Sequence, residues 1–333
     1  MTSPSPSLSL PVGTPASLAL FEAETAAVRR AAERVCRAAG GGLDDPETTA
    51  AAREGWEELP VRLRVAVRAF RRNSGECGVT LVTGLPMDEA LLPPTPTANG
   101  SVRREATVPA ATLLMTAAGG LGDPAAYAPE KSGALVQDVV PVPGKEDFEG
   151  NAGSTLLSFH VENAFHVHRP DFVMLLCLRA DHDGAAGLRT GSIRQALPVL
   201  SERTREALFR PEFSTQPPPS FGTAAGTTRP RPVLTGDPED PDLRVDFSAT
   251  TAVTPEARRA LVELEAAVDA ASHTVRLTPG DLAIVDNRVT THGRTAFRPR
   301  YDGGDRWLLR TFAVADLRRS RDHRPGDGHV LSH

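Results

Sequence analysis

Residues 158–163 read Ser158-Phe159-His160-Val161-Glu162-Asn163, closing an apolar run that begins at Leu156. In an extended strand, side chains two apart point to the same face. A strand through LLSFHVE therefore aims His160 and Glu162 together at one metal-sized site. An imidazole nitrogen beside a carboxylate oxygen suits a borderline divalent metal. The same spacing also recurs by chance on solvated strands, so a third ligand is needed to make it a site.

Downstream, Thr278–Arg294 (TPGDLAIVDNRVTTHGR) holds an apolar strand, LAIVDN, running into a polar stretch that carries His292 beside Gly293. His292 can complete the set. Two histidines and one carboxylate with open positions form the facial triad of non-haem Fe(II) oxygenases. Zinc hydrolases also use two histidines and a glutamate, so the ligands alone leave the metal open. Further on, Asp305–Phe312 (DRWLLRTF) places Arg306 and Arg310 four apart, on one strand face, with Leu308 between them. A guanidinium holds a carboxylate through two parallel charge-assisted hydrogen bonds. Two inward arginines near a metal imply two carboxylate-bearing ligands, such as a keto acid and an amino acid.

The rest of the chain frames these motifs. Its 333 residues allow one large domain, and a net charge of −5 argues against a general nucleic-acid binder. With 40% hydrophobic and 24% charged residues a sizeable core is expected, while 29 prolines and 28 glycines predict short elements rather than a helical bundle. No apolar run is long enough to span a membrane, and the first residues lack the basic start of a secretion signal. Three scattered cysteines fit a reducing cytoplasm. Residues 1–15 are Ser/Pro-rich and expected to be a disordered arm. Residues 16–333 are expected to form a single domain. It opens with helices around 18–38, 46–56 and 60–70, the last with Leu63, Val67 and Phe70 on one face. A strand at Gly78–Thr83 and a helix over Val108–Ala118 follow. From Ala134 short strands dominate, interrupted by one helix near 255–271. Residues 211–231 read as a flexible loop or lid.

H-x-E, a distant GDLAIVDN…HGRT and then PRYDGGDRWLLR together resemble the clavaminate-synthase-like branch of Fe(II)/2-oxoglutarate oxygenases. Within it the chain is most similar to the L-asparagine 3-hydroxylases of lipopeptide antibiotic pathways. The likeness runs through RRNSGECG, LPPTPTANGSVRREA, GALVQDVVPVPG, GNAGSTLLSFHVENAFHVHRPDFVMLLCLRAD and DPDLRVD to DLRRSR, nearly the whole chain.

The resemblance implies a mainly β fold, a double-stranded β-helix or jelly-roll core with flanking helices. It implies iron on His160, Glu162 and His292, with 2-oxoglutarate and O2 as cosubstrates. Arg306, fourteen positions after His292, falls where the family clamps the far carboxylate of 2-oxoglutarate. Arg310 falls where it pairs with the amino acid's α-carboxylate. Glu130, Asn151, Asn163 and Asp246 take the remaining substrate contacts, with Gln137 a candidate for the substrate backbone. The expected reaction is hydroxylation of free L-asparagine at C3, supplying 3-hydroxyasparagine to nonribosomal peptide antibiotics. The alternatives are another free amino acid (arginine, lysine, aspartate or glutamate) or a metal-binding barrel without oxygenase activity.

The residue chemistry agrees with asparagine. Glu130 can accept from the ammonium and Arg310 can meet the carboxylate. An ionised Asp246 only accepts, which suits an amide NH2 and repels a substrate carboxylate. Arginine hydroxylases of this branch carry D-x-D here, whereas this chain has Ser248 after Asp246-Phe247. Other members also place a threonine near Leu188 for 2-oxoglutarate, a role Thr190 could take. His166 and His168 read as structural, Cys177 as a core thiol, and Arg318–Arg321 as a basic surface patch.

Overall fold

The computed structural model describes residues 13–40, 42–97, 106–221 and 229–332. In chain order the strands are β1 (Ala16–Ala19), β2 (Val79–Thr83), β3 (Asp123–Tyr127), β4 (Gln137–Val139), β5 (Leu157–His160), β6 (Phe172–Arg179), β7 (Leu188–Ser192) and β8 (Phe213–Thr215). They continue with β9 (Leu234–Asp237), β10 (Asp240–Leu243), β11 (Thr250–Ala252), β12 (His273–Val275), β13 (Leu282–Asp286), β14 (Thr290–Arg294), β15 (Trp307–Val314) and β16 (Val330–Leu331). The helices are α1 (Glu22–Ala38), α2 (Pro46–Glu57), α3 (Val61–Arg72), α4 (Val108–Met115), α5 (Ile193–Ala196), α6 (Glu202–Leu208) and α7 (Pro255–Ala270).

The main sheet runs β1-β2-β13-β6-β15-β3-β16, and β4 pairs with β15 alongside β3. A four-stranded sheet, β12-β7-β14-β5, faces it. Strand β6 shows how the layers arise. Phe172, Met174, Leu176 and Leu178 pack outward with the N-terminal helices, while Val173, Leu175 and Cys177 point inward toward Leu188 of the smaller sheet. Buried on both faces, β6 is apolar almost throughout, as its sequence suggested. The jelly-roll expectation, mainly β with flanking helices, is met.

Helix α3 buries Leu63, Val67 and Phe70, the stripe its sequence predicts. Each such side chain contributes about 1.5–3 kcal/mol on burial. Beyond α4 the chain unwinds through a wider π-helical turn, Thr116–Leu121, against α2. Gly119 is needed there, because a Cβ would sit 2.2 Å from Trp56 Cγ.

The expected helix from residue 18 is corrected at its start. Ala16–Ala19 is a strand, parallel to β2, and α1 begins at Glu22. Without it, β2 would carry an open sheet edge. Residues 1–12 of the expected arm lie outside the described residues, and residues 13–15 lead directly into β1. Within 211–231, β8 pairs with β11, and Arg231 bridges Phe213; residues 222–228 are outside the described set.

Candidate active site

The smaller sheet brings the two histidines together. His160 on β5 lies directly opposite His292 on β14, and their ring centres are 4.4 Å apart. Glu162 is not on that strand: β5 stops at His160, so alternation alone does not aim the carboxylate. Asn287, fully buried at the end of β13, does this instead. Its Oδ1 accepts from the Glu162 backbone N–H at 2.8 Å, and its Nδ2 donates to the carbonyls of Glu162 (3.1 Å) and Pro170 (2.8 Å). Glu162 Oε2 thereby lies 3.5 Å from His292 Nε2, and one ligand atom from each of the three residues falls within 4.8 Å of the others.

Their chemical states suit a metal. His160 Nδ1 lies 2.9 Å from the Ser158 carbonyl, which only an N–H can satisfy, so Nε2 is the ring nitrogen that remains to meet a metal. Burial, then His160, pulls His292 down to about 4, so its imidazole is neutral. Burial pushes Glu162 up, but the Arg310 guanidinium and His292 outweigh it and hold the carboxyl well below its usual range.

Arg310 points inward from β15 and is 2% exposed. It donates to Glu162 Oε2 at 3.0 Å, to Gln137 Oε1 through Nε at 3.2 Å, and to Glu130 Oε1. Gln137 is its cross-strand partner on β4 and spends its own Nε2 on the Ala134 carbonyl. Burial raises Glu130 while Arg310 pulls it down, and its Oε2 is buried without a hydrogen-bond partner. Asn163 faces Glu130 and Tyr127 and holds a left-handed φ of 51°, which asparagine tolerates.

Arg306 differs in kind. It precedes β15, lines a small hollow with Cys177, Asp181, Leu188, Leu277 and Leu308, and among the described residues donates no hydrogen bond and forms no ion pair. Burial pulls its pKa below the ordinary guanidinium value. Thr190, opposite His292 on β7, has a buried hydroxyl without a partner, and Leu188 lies two residues before it. A dicarboxylate fits these orphaned groups.

Asp246 bridges His160 across the sheet edge. Its Oδ1 accepts from Ser248 N at 2.9 Å, Ser248 Oγ at 2.7 Å and Ala249 N at 3.2 Å, so part of the carboxylate holds a turn. Asn151 sits half-buried in the loop joining β4 to β5, linked to the site through Arg294. His166 is buried against Tyr127, and its Nδ1 accepts from His168 N at 3.0 Å, a structural role. Cys177 is a core thiol, pushed up to about 12 by burial. Asn287 and Arg294 carry no role in the sequence reading. The signal for Asn287 was its place at the end of an apolar strand, where a polar side chain must be satisfied.

Residues 75–312 match the family model described as Taurine catabolism dioxygenase TauD, TfdA family, and the chain belongs to that family. It is 60% identical to the L-asparagine oxygenase of Streptomyces coelicolor over 94% of this chain and 93% of that one. It is 37% identical to clavaminate synthase 2 of Streptomyces clavuligerus over 83% and 84% of the two chains. Among solved structures it superposes on asparagine oxygenase in complex with Fe(II), 2S,3S-3-hydroxyasparagine and succinate. That match has a TM-score of 0.92 at 59% identity and covers 95% of this chain and 99% of the other.

Proposed function

We propose that this chain is an Fe(II)- and 2-oxoglutarate-dependent oxygenase that hydroxylates free L-asparagine at C3. The product is 2S,3S-3-hydroxyasparagine for nonribosomal peptide antibiotic assembly, and O2 is the second cosubstrate. One observation carries the reading: between the sheets, a two-histidine, one-carboxylate cluster lies with one unpartnered buried arginine and one arginine already flanked by carboxylates.

The donor set fits iron, since two imidazoles and one carboxylate leave positions open for a chelating keto acid. His160, Glu162 and His292 hold it. When bound, the iron supplies O2 activation coupled to decarboxylation of 2-oxoglutarate to succinate and CO2. The chain's own residues supply position. Arg306 takes the far carboxylate of 2-oxoglutarate, with the Thr190 hydroxyl as a further donor. Arg310 meets the α-carboxylate of asparagine and Glu130 its ammonium, while Gln137, Asn151 and Asn163 complete the substrate contacts. Asp246 accepts from the side-chain amide through Oδ2, which has no partner among the described residues. The apolar walls keep bulk water away from the reacting carbon.

We read residues 16–333 as one working unit, with the helices a buttress behind the main sheet. Within the 211–231 segment, Phe221 packs against Tyr127 and Phe165 beside the site, which supports reading the segment as a lid. No helix among the described residues is long and apolar enough to cross a membrane. Free thiols at Cys36, Cys77 and Cys177 support a cytoplasmic location.

The test is succinate release from the purified protein with Fe(II) and 2-oxoglutarate, across the common amino acids, with mass detection of one added oxygen. Asparagine should give the largest signal. Turnover with none of them would overturn the oxygenase reading, and a strong preference for another amino acid would overturn the substrate.

A further inference from the structure

We infer that Arg294 is a positioning residue that latches the Asn151 loop to the metal-bearing strand; the inference rests on the proposed function for what that loop does. Arg294 follows His292 by two on β14 and so points to the same face. It is 4% exposed. One terminal nitrogen donates to the Gly150 carbonyl at 3.3 Å and the other to the Thr155 carbonyl at 2.9 Å, on either side of Asn151.

The guanidinium is held in turn. Its centre lies 5.2 Å from the Phe297 ring centre, and the Arg306 guanidinium lies 5.8 Å from the same ring. The Phe297 backbone N–H also donates to the Ser154 carbonyl at 3.0 Å, so the turn is gripped at Gly150 and at Ser154–Thr155, on either side of Asn151. The turn tolerates little change: a Cβ on Gly153 would meet the Phe148 carbonyl oxygen at 1.8 Å. Both acceptors of Arg294 are neutral carbonyls, so the latch needs donors at a fixed spacing rather than a positive charge. Asn151 thereby keeps a fixed distance from the strand that carries His292.

The test compares R294A and R294Q with the wild type. R294A removes both donors; R294Q removes the charge and keeps an amide N–H pair. Three quantities are read: steady-state constants for asparagine, equilibrium affinity for 2-oxoglutarate without O2, and hydrogen exchange of peptide 145–156 in the resting protein. R294A should raise KM for asparagine about tenfold or more, equivalent to about 1.4 kcal/mol. It should change kcat far less, leave 2-oxoglutarate affinity near wild type, and speed exchange in 145–156 but not in the β13 and β15 peptides. R294Q should recover part of both effects. Loss of 2-oxoglutarate affinity in both variants with an unchanged asparagine KM would overturn the latch, because Arg294 would then act by charge on the cosubstrate. Unchanged exchange of 145–156 in R294A would also overturn it. If the wild type fails to turn over asparagine, the function reading falls, while the exchange comparison still decides the latch.

Discussion

Replacing Arg306 with methionine should stabilise the free protein while abolishing its response to 2-oxoglutarate. Arg306 is 8% exposed and, among the described residues, its guanidinium donates no hydrogen bond. Its surroundings are Cys177, Ala180, Asp181, Ala186, Leu188, Leu277 and Leu308, with Phe297 5.8 Å away; Asp181 acts on it through space without a hydrogen bond or ion pair. A buried charge without a partner costs several kcal/mol, and apolar replacement of buried ions has gained roughly 1–4 kcal/mol. Methionine is unbranched and adapts to such a hollow. A gain of about 1–3 kcal/mol is therefore expected for the free protein. The clamp is lost at the same time. Two charge-assisted hydrogen bonds at about 1.5–3 kcal/mol each amount to at least a hundredfold in cosubstrate affinity. The assay is thermal melting under argon with Fe(II), with and without 2-oxoglutarate. Ligand at about a hundred times its Kd adds about 2.7 kcal/mol to the wild type. The variant should melt higher than wild type without ligand and gain at most about 0.4 kcal/mol with it. A variant that melts lower and still shifts with 2-oxoglutarate would refute the reasoning, making Arg306 a structural cation.

Three further outcomes are expected. Asp246→Asn keeps the Oδ1 acceptor of its turn but replaces the unpartnered Oδ2 with a donor, so the asparagine-to-aspartate ratio of kcat/KM should fall by two or more orders of magnitude; an unchanged ratio would return Asp246 to a purely structural role. Glu162→Ala should abolish turnover and strongly weaken Fe(II) binding, with the circular dichroism spectrum kept because Arg310 retains Glu130 and Gln137; near-native iron affinity would exclude the triad. Succinamate, asparagine without its ammonium, should bind at least about tenfold more weakly than asparagine in competition assays, since a charge-assisted contact to Glu130 is lost; equal binding would remove Glu130 from ammonium recognition.

The parts of the site legible in sequence are those set by short-range geometry. Leu308 and Arg310 share the inward face of β15 because their spacing is even, while Arg306 lies just before the strand, ahead of a register shift, and still lines the same hollow as Leu308. His160 and Glu162 were found together, though for an incomplete reason: the strand ends at His160, and the carboxylate is placed by Asn287 from 125 residues downstream. Such a tie leaves no periodic trace. Strands β7 and β14 were missed because LRTGS and TTHGR face a polar interior on one side, which removes the apolar alternation that marks a strand. Arg294 was invisible for a related reason. Its acceptors are main-chain carbonyls, present at every position of every sequence, so only the folded path of residues 150–155 reveals the contact. Strand β1 was read as helix because alanines and leucines favour helix locally, and the open edge of β2 decides otherwise.

The two arginines also differ in a way that bears on how an amino acid enters. Arg306 has no hydrogen-bond acceptor among the described residues, so a carboxylate can reach it without displacing one. Arg310 has a carboxylate on either side, Glu130 and Glu162, and Gln137 accepts both from its Nε and from one terminal nitrogen, so four of its donors are engaged. A guanidinium has five donors, and a bidentate α-carboxylate needs two of them, so an existing partner must yield. Glu162 is needed by the metal and Gln137 is fixed by Ala134, which leaves Glu130. A zwitterion solves this without uncovering a charge. Its carboxylate takes the place of Glu130 on Arg310, and its ammonium takes the place of Arg310 on Glu130. One buried ion pair becomes two, and the net charge of the site does not change. A ligand with only the carboxylate would strand Glu130, whose Oε2 is already buried without a partner. An uncompensated buried charge is the costly outcome. On the proposed function, the Arg310–Glu130 pair would therefore select for a free α-amino acid before its side chain reaches Asp246.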